Sequence, residues 1–385
     1  MSKPSKVMQV ATFILYVVMG ICIAVFIIPL RDFLFEILNN EAITAFVILS
    51  ILFLLFLFSV FLQTIIHEAG HLVCGLISGY KFSSFRILST CFVKTNEKIK
   101  VKKITVPGTV GQCLMLPPKQ DLSANVPYKL YNYGGCIFNF ASALVFVIIA
   151  FVFKYNVILY AIFGVLATAG MMLFFNNGIP KRTALIQNDG QNIIDIGKSQ
   201  QSMQSYIIQL LIAEAQTKGL KLSEMPNEWF EMPNAEDLNN PLVTTRVSLI
   251  CSRLIEQRDF FNAHITIRTL LQHKQSLLGI YKIFMELELI YLDAINFWAS
   301  PTEISNRLSV QLKNVNAIKN SISVQRVLYT VEIVCRANEK EGQKHLQLFE
   351  KSAKKYPYQQ EIEEERKLIA LAQECAKKLK EQANA

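Results

Sequence analysis

Histidine is scarce in this chain, with five in 385 residues, and its eight cysteines (Cys22, Cys74, Cys91, Cys113, Cys136, Cys251, Cys335, Cys375) form neither a C-x-x-C pair nor a zinc-ribbon spacing. A cysteine-ligated zinc module is thereby excluded, and the thiols read as reduced and buried. Charge is lacking from long runs between Met8 and Asn177. With 52% hydrophobic residues and a mean hydropathy of +0.31, that gap excludes an ordinary soluble protein. A small-residue cleavage site is also missing after the first apolar segment, Met8 to Leu30. That segment exceeds a signal-peptide core, so it is expected to stay as an anchor. The net charge of +9 would suit nucleic acid, yet the basic residues cluster beside hydrophobic spans, where they set topology and meet anionic lipid. No nucleic-acid partner is expected.

What the sequence does hold is a membrane half followed by a soluble half. Crossing a bilayer takes about 20 apolar residues, and four segments qualify: Met8 to Leu30, Ala42 to Ile66, Cys136 to Phe153 and Val157 to Phe175. Four crossings put both termini on one side. Lys3 and Lys6 precede the first span, the Phe33 to Glu41 loop carries acidic residues, and the Lys81 to Lys129 loop is rich in lysine. The positive-inside rule then makes the protein multi-pass in the cell membrane, with termini and long loop cytoplasmic. The second apolar stretch runs on beyond Ile66 and exceeds what a bilayer needs, so it must kink, tilt or protrude. Within the basic loop, Lys98 to Val106 alternates as a strand does, and Pro107-Gly108 signals a turn. A mobile loop is the other reading.

Beyond Asp189 charged and apolar residues alternate at helical spacing. Pro241 to Gln272 and Val324 to Tyr356 each read as a helix-turn-helix hairpin near the length of a tetratricopeptide unit, with Arg258 to Ala263 as one inter-helix turn. The full repeat signature is absent, so a generic helical bundle stays open. The expected fold is mainly α: residues 1–200 form a multi-pass helical membrane domain with a small surface β element, and 201–385 a soluble, tetratricopeptide-like α-helical domain. The latter suits a protein partner more than chemistry.

Chemistry is concentrated in His67-Glu68-Ala69-Gly70-His71. Histidines at i and i+4 share one helical face, about 5–6 Å apart at Cβ, so both imidazoles can reach one zinc ion. Glu68 then sits beside the metal. Its carboxylate can take a proton from a metal-activated water and later deliver it to the leaving amine. A catalytic zinc wants a third protein ligand and an open position. Asn188-Asp189-Gly190, opening a helix after the fourth span, offers Asp189; the plainer reading is that Asp189 only caps that helix. His264, His273 and His345 read as ordinary residues of soluble helices.

With these residues in order, the chain resembles the site-2 protease family of intramembrane zinc metallopeptidases, which pairs H-E-x-x-H in one span with N-x-x-P…D-G after a later one. The resemblance implies that His67, His71 and Asp189 bind Zn2+ and that Glu68 is the general base. Asn177 and Pro180 match N-x-x-P, and Gly190 completes D-G. The run Gly134 to Asn139 is similar to the family's G-x-x-x-N segment, whose asparagine would face the active site; small-residue helix packing is the alternative. The likeness covers Ala42 to Ile194. It departs in the long polar interval KRTALIQN before Asp189, and in the segment after Gly190, too polar for another span.

The resemblance implies cleavage of membrane-anchored substrates or signal-peptide remnants. A transmembrane helix hides its backbone in its own hydrogen bonds, so a substrate must unwind, and the Lys98 to Val106 strand could hold the unwound piece by strand addition. Two other classes remain: a catalytically silent membrane scaffold without zinc, and a transporter whose polar residues line an ion path. A zinc protease with a glutamate third ligand is disfavoured, since no strongly apolar span after His71 contains glutamate.

Overall fold

The structure, a computed structural model, describes residues 6–95, 98–104, 109–182, 187–273, 275–312, 318–356 and 358–384. It is 74% helix. Four helices, α1 (Lys6–Leu38), α2 (Glu41–Ile77), α3 (Tyr128–Val152) and α4 (Val157–Gly178), are long and apolar enough to cross a membrane. The acidic loop expected from Phe33 shrinks to two residues, because nothing between Leu30 and Leu38 breaks the helix. Asn39 turns the chain in the left-handed region at φ 47°, and Asn40 caps α2 by accepting from the Ile43 N–H at 3.0 Å.

α2 runs unbroken for 37 residues, about 55 Å at 1.5 Å per residue. Its buried residues crowd the carboxy-terminal third, from Gln63 to Gly75. There α3 and α4 pack against it, and α1 closes the bundle mainly along α4.

A four-stranded antiparallel sheet joins α2 to α3: β1 (Lys81–Ile87), β2 (Thr90–Thr95), β3 (Lys98–Lys103) and β4 (Gly111–Leu116), in the order β3-β2-β1-β4. The expected strand is β3, shorter at its end, while Val106 and the Pro107-Gly108 turn lie outside the described residues. The other three strands were not anticipated. One reason is visible in β1, where the register against β4 shifts between Phe82 and Ser84; such an irregularity breaks the period of two on which strand reading depends.

After α4, Arg182 and Gln187 form an isolated antiparallel bridge, and α5 (Asp189–Ile196) and α6 (Gln200–Thr217) follow. Residue 200, the expected domain boundary, thus opens α6. That helix buries Met203, Ile207 and Leu210 in one core with Tyr80, Met115 and Tyr131 of the first half. It also packs on α7 (Pro241–Glu256).

The tail continues with α8 (Phe260–Gln272), α9 (Gly279–Asn296), α10 (Pro301–Leu312), α11 (Ile322–Thr330, extended by a π-helical turn to Cys335), α12 (Glu339–Ala353) and α13 (Gln359–Asn384). The α7/α8 and α11/α12 pairs occupy the two expected hairpins, and α9/α10 adds a third. Each pair turns through one left-handed residue: Arg258, Phe297 or Ala337. All eight cysteines are free, five of them buried.

Candidate metal centre

One helical turn before His67, α2 carries Gln63, fully buried. Its amide nitrogen donates to the Leu166 carbonyl of α4 at 3.1 Å, which fixes its oxygen toward α3. There Asn139 donates from Nδ2 to the Gln63 carbonyl at 2.9 Å and to Gln63 Oε1 at 2.8 Å. The Asn139 oxygen is then left to face His67 Nδ1 at 2.7 Å. An amide oxygen only accepts, so His67 carries its proton on Nδ1. His71 Nδ1 likewise donates to the Tyr131 carbonyl at 2.8 Å. With Nδ1 so engaged, each ring turns its Nε2 to the same point.

Asp189 completes the convergence. Its Oδ2 lies 3.0 Å from His67 Nε2 and 3.5 Å from His71 Nε2, and the two Nε2 atoms are 3.1 Å apart. Three lone-pair atoms so close repel one another unless a cation lies between them. Zinc bonds of about 2.1 Å in a tetrahedral arrangement put donors roughly 3.4 Å apart, close to these separations. Asp189 Oδ2 is buried and accepts no hydrogen bond. Two imidazoles and a carboxylate are a donor set that suits zinc, and these residues can hold a metal ion. Among the described residues no other trio of His, Cys, Asp or Glu is so placed.

The helix cap is Asn188, not Asp189. Its Oδ1 accepts from the Gln191 N–H at 3.1 Å and the Lys181 N–H at 2.9 Å. Its Nδ2 donates to the carbonyls of Asn176 and Ile179, at 2.7 and 2.6 Å. Asn188 therefore pins the start of α5 to the end of α4 and leaves the Asp189 side chain free for the histidines. Gly190 allows the same approach: a Cβ there would lie 2.2 Å from the Gly178 carbonyl oxygen and 3.2 Å from Pro180 N. Pro180 thus stands at the α4–α5 contact. Asn177 turns its amide back onto its own helix, donating to the Leu173 carbonyl at 3.2 Å, and no contact joins it to the three ligand atoms.

Glu68 is buried beside the trio. The first residue of β4, Gly111, lies against it, since a Cβ at Gly111 would come within 2.5 Å of Glu68 Oε1. Nearby, the fully buried Arg86 donates to the carbonyls of Leu88 and Gly111, at 2.7 and 3.3 Å. The sheet thus roofs the carboxylate. Below it, Gly70 of α2 and Gly134 of α3 meet backbone to backbone, and Gly135 lies under the His67 ring. Any side chain at these glycines would push α3 and its Asn139 away. β4 is the sheet edge packed on α2, and β3 is the opposite, outer edge.

Sequence reading did not single out Gln63, Asn188, Tyr131 or Gly111. A signal existed for Gln63, a lone amide in an apolar run four residues before His67. None existed for the Tyr131 carbonyl, which every residue possesses. No family model, no curated protein and no solved structure matches this chain, so the residues and their geometry carry the functional reading.

Proposed function

We propose that this chain is a zinc-dependent peptide hydrolase working within a membrane, with His67, His71 and Asp189 as metal ligands and Glu68 as general base. The observation that supports it most is the convergence of His67 Nε2, His71 Nε2 and an Asp189 oxygen, with Nδ1 of both imidazoles turned away onto Asn139 and Tyr131. Zinc held there would polarise the scissile carbonyl and acidify a water to a pKa of about 7. Glu68, adjoining the ligands, would accept a proton from the attacking water and return it to the departing amine. Asn139 and Tyr131 keep the imidazoles oriented, and the β4 end at Gly111 keeps bulk water from Glu68.

The order of H-E-x-x-H, G-x-x-x-N and N-x-x-P…D-G, similar to the site-2 protease family, favours substrates anchored in the membrane, either single-span proteins or signal-peptide remnants. An unwound substrate segment needs backbone partners. We assign it to the edge strand β4, which adjoins Glu68, rather than to β3, the edge assigned from the sequence. The lysine-rich loops favour a cell-membrane protein with its termini and tail in the cytoplasm.

The test is elemental analysis of detergent-purified protein, wild type against His71→Ala and Asp189→Ala. About one zinc per wild-type chain, much reduced in both variants, is expected. Zinc unaffected by Asp189→Ala would reopen the third ligand. No zinc in folded wild type would favour the silent scaffold.

A further inference from the structure

In the membrane half, α1 and α4 touch at one level and part at another. At the inner level Phe26 of α1 packs over Gly164 of α4, where any Cβ would collide with the ring. Toward the start of α1 and the end of α4 the helices separate, and a cavity of about 560 Å³ opens between them with Val147 of α3 behind it. Ile14, Val18 and Cys22 line one side, Met171 and Phe175 the other. Thr168, near the closed end, spends its hydroxyl on the Gly164 carbonyl at 2.9 Å, so the interior offers a ligand apolar contact.

The mouth is polar. Tyr16 donates there to Asn176 Oδ1 at 3.3 Å, and Lys181, an exposed residue, is the one charged side chain in the lining. The neighbouring cations Arg182 and Lys198 share Asp195, whereas Lys181 has no ion pair among the described residues. The slot thus has an apolar body and an unanswered positive charge at its open end. Its length selects the occupant. From Ile14 to Phe26 the slot follows α1 for about 18 Å at 1.5 Å per residue, near the roughly 15 Å of one leaflet's hydrocarbon and well short of the roughly 30 Å that a spanning helix needs.

We infer that this slot binds one anionic phospholipid of the cytoplasmic leaflet, an acyl chain lying between α1 and α4 and the phosphate on Lys181. In the orientation favoured above, Lys181 stands at the cytoplasmic surface, where anionic lipids collect and basic side chains attract them. The volume lies within the roughly 300–1,000 Å³ of small-molecule sites. The inference rests on the membrane reading and is independent of zinc and of peptide cleavage.

The test titrates delipidated full-length protein in detergent with phosphatidylglycerol, phosphatidylcholine or water-soluble glycerol phosphate, and counts bound molecules per chain by native mass spectrometry. One phosphatidylglycerol is expected, held about fivefold tighter than phosphatidylcholine, the worth of one basic residue at an anionic surface. Lys181→Gln should erase that preference. Val18→Trp, which fills the slot from an exposed wall position and leaves every charge in place, should weaken both lipids. Equal binding of the two lipids by wild type, a preference that survives Lys181→Gln, binding undiminished by Val18→Trp, or glycerol phosphate bound as tightly as the lipid would each overturn the inference. So would a single-span peptide or a second copy of the chain seated there in place of lipid, seen as a mass that Val18→Trp abolishes.

Discussion

The apolar half and the tail both bury polar side chains, and they satisfy them in different ways. In the first half neutral amides and carbonyls form a relay from Leu166 through Gln63 and Asn139 to His67, all directed at one point. In the tail six of the buried polar groups are ions, and several are paired where they stand. Asp293 holds His264 at 2.9 Å and Arg307 at 2.5 Å, and Arg326 pairs with Glu288 and Glu365. A neutral relay orients, whereas an ion pair offsets the cost of its own burial. The departures are then the informative places: Asp189 Oδ2 in one half, and Glu288 Oε2 with Arg326 Nη1 in the other, are buried atoms that no protein group satisfies.

The sharpest separation of the halves comes from Glu68→Gln, which should lower peptide cleavage by about 10²–10⁴-fold, the range for losing a general acid–base group. Zinc content and tail stability should stay at wild-type values. Cleavage at the wild-type rate would remove Glu68 from the mechanism. Arg326→Met attacks the other half, because it strands Glu288 and Glu365; breaking a buried pair costs about 3–5 kcal/mol. Both tryptophans, Trp229 and Trp298, lie in the tail, so their fluorescence during urea unfolding reads that loss, while bound zinc should be unchanged.

A smaller effect is expected from Asn139→Leu, which removes the acceptor for His67 Nδ1 and frees the ring to change tautomer. Zinc affinity, followed by competition with a chelator, should fall about 10–100-fold. An unchanged affinity would mean that helix packing alone orients His67. Smallest is the effect of Glu361→Gln. Burial pushes the Glu361 carboxyl up to about 7, so its folded-state pKa exceeds the unfolded one. Its contribution is fully present below the ordinary carboxylate range and is lost as pH rises through 7. The variant should therefore gain melting temperature relative to wild type between pH 5 and 8, and a constant difference would count against that burial.

What was legible in the sequence follows the same division. Histidines at i and i+4 need only a helix, so His67 and His71 could be read directly, and the turn-forming Asn188-Asp189-Gly190 drew attention to Asp189. The identity of the cap was hidden, because either Asn188 or Asp189 could fill that role until the end of α4 came alongside. The sheet was largely hidden by the shift in β1 and by strands whose alternation is mixed. The tail's ion pairing was not legible at all. Arg326 finds Glu288 across 38 residues, and no local period announces a partner chosen by packing.

One joint in the molecule has a mechanical consequence. α6 shares its core with Tyr80, Met115 and Tyr131 on one side and packs on α7 on the other, so no slack linker separates the halves. Tyr206 of α6 meets the first turns of α3, its hydroxyl accepting from Asn132 Nδ2 at 3.4 Å. The next residue along that helix toward its start, Tyr131, supports His71 through its carbonyl. The tail is thus seated on the same helical turn that orients an imidazole of the metal centre.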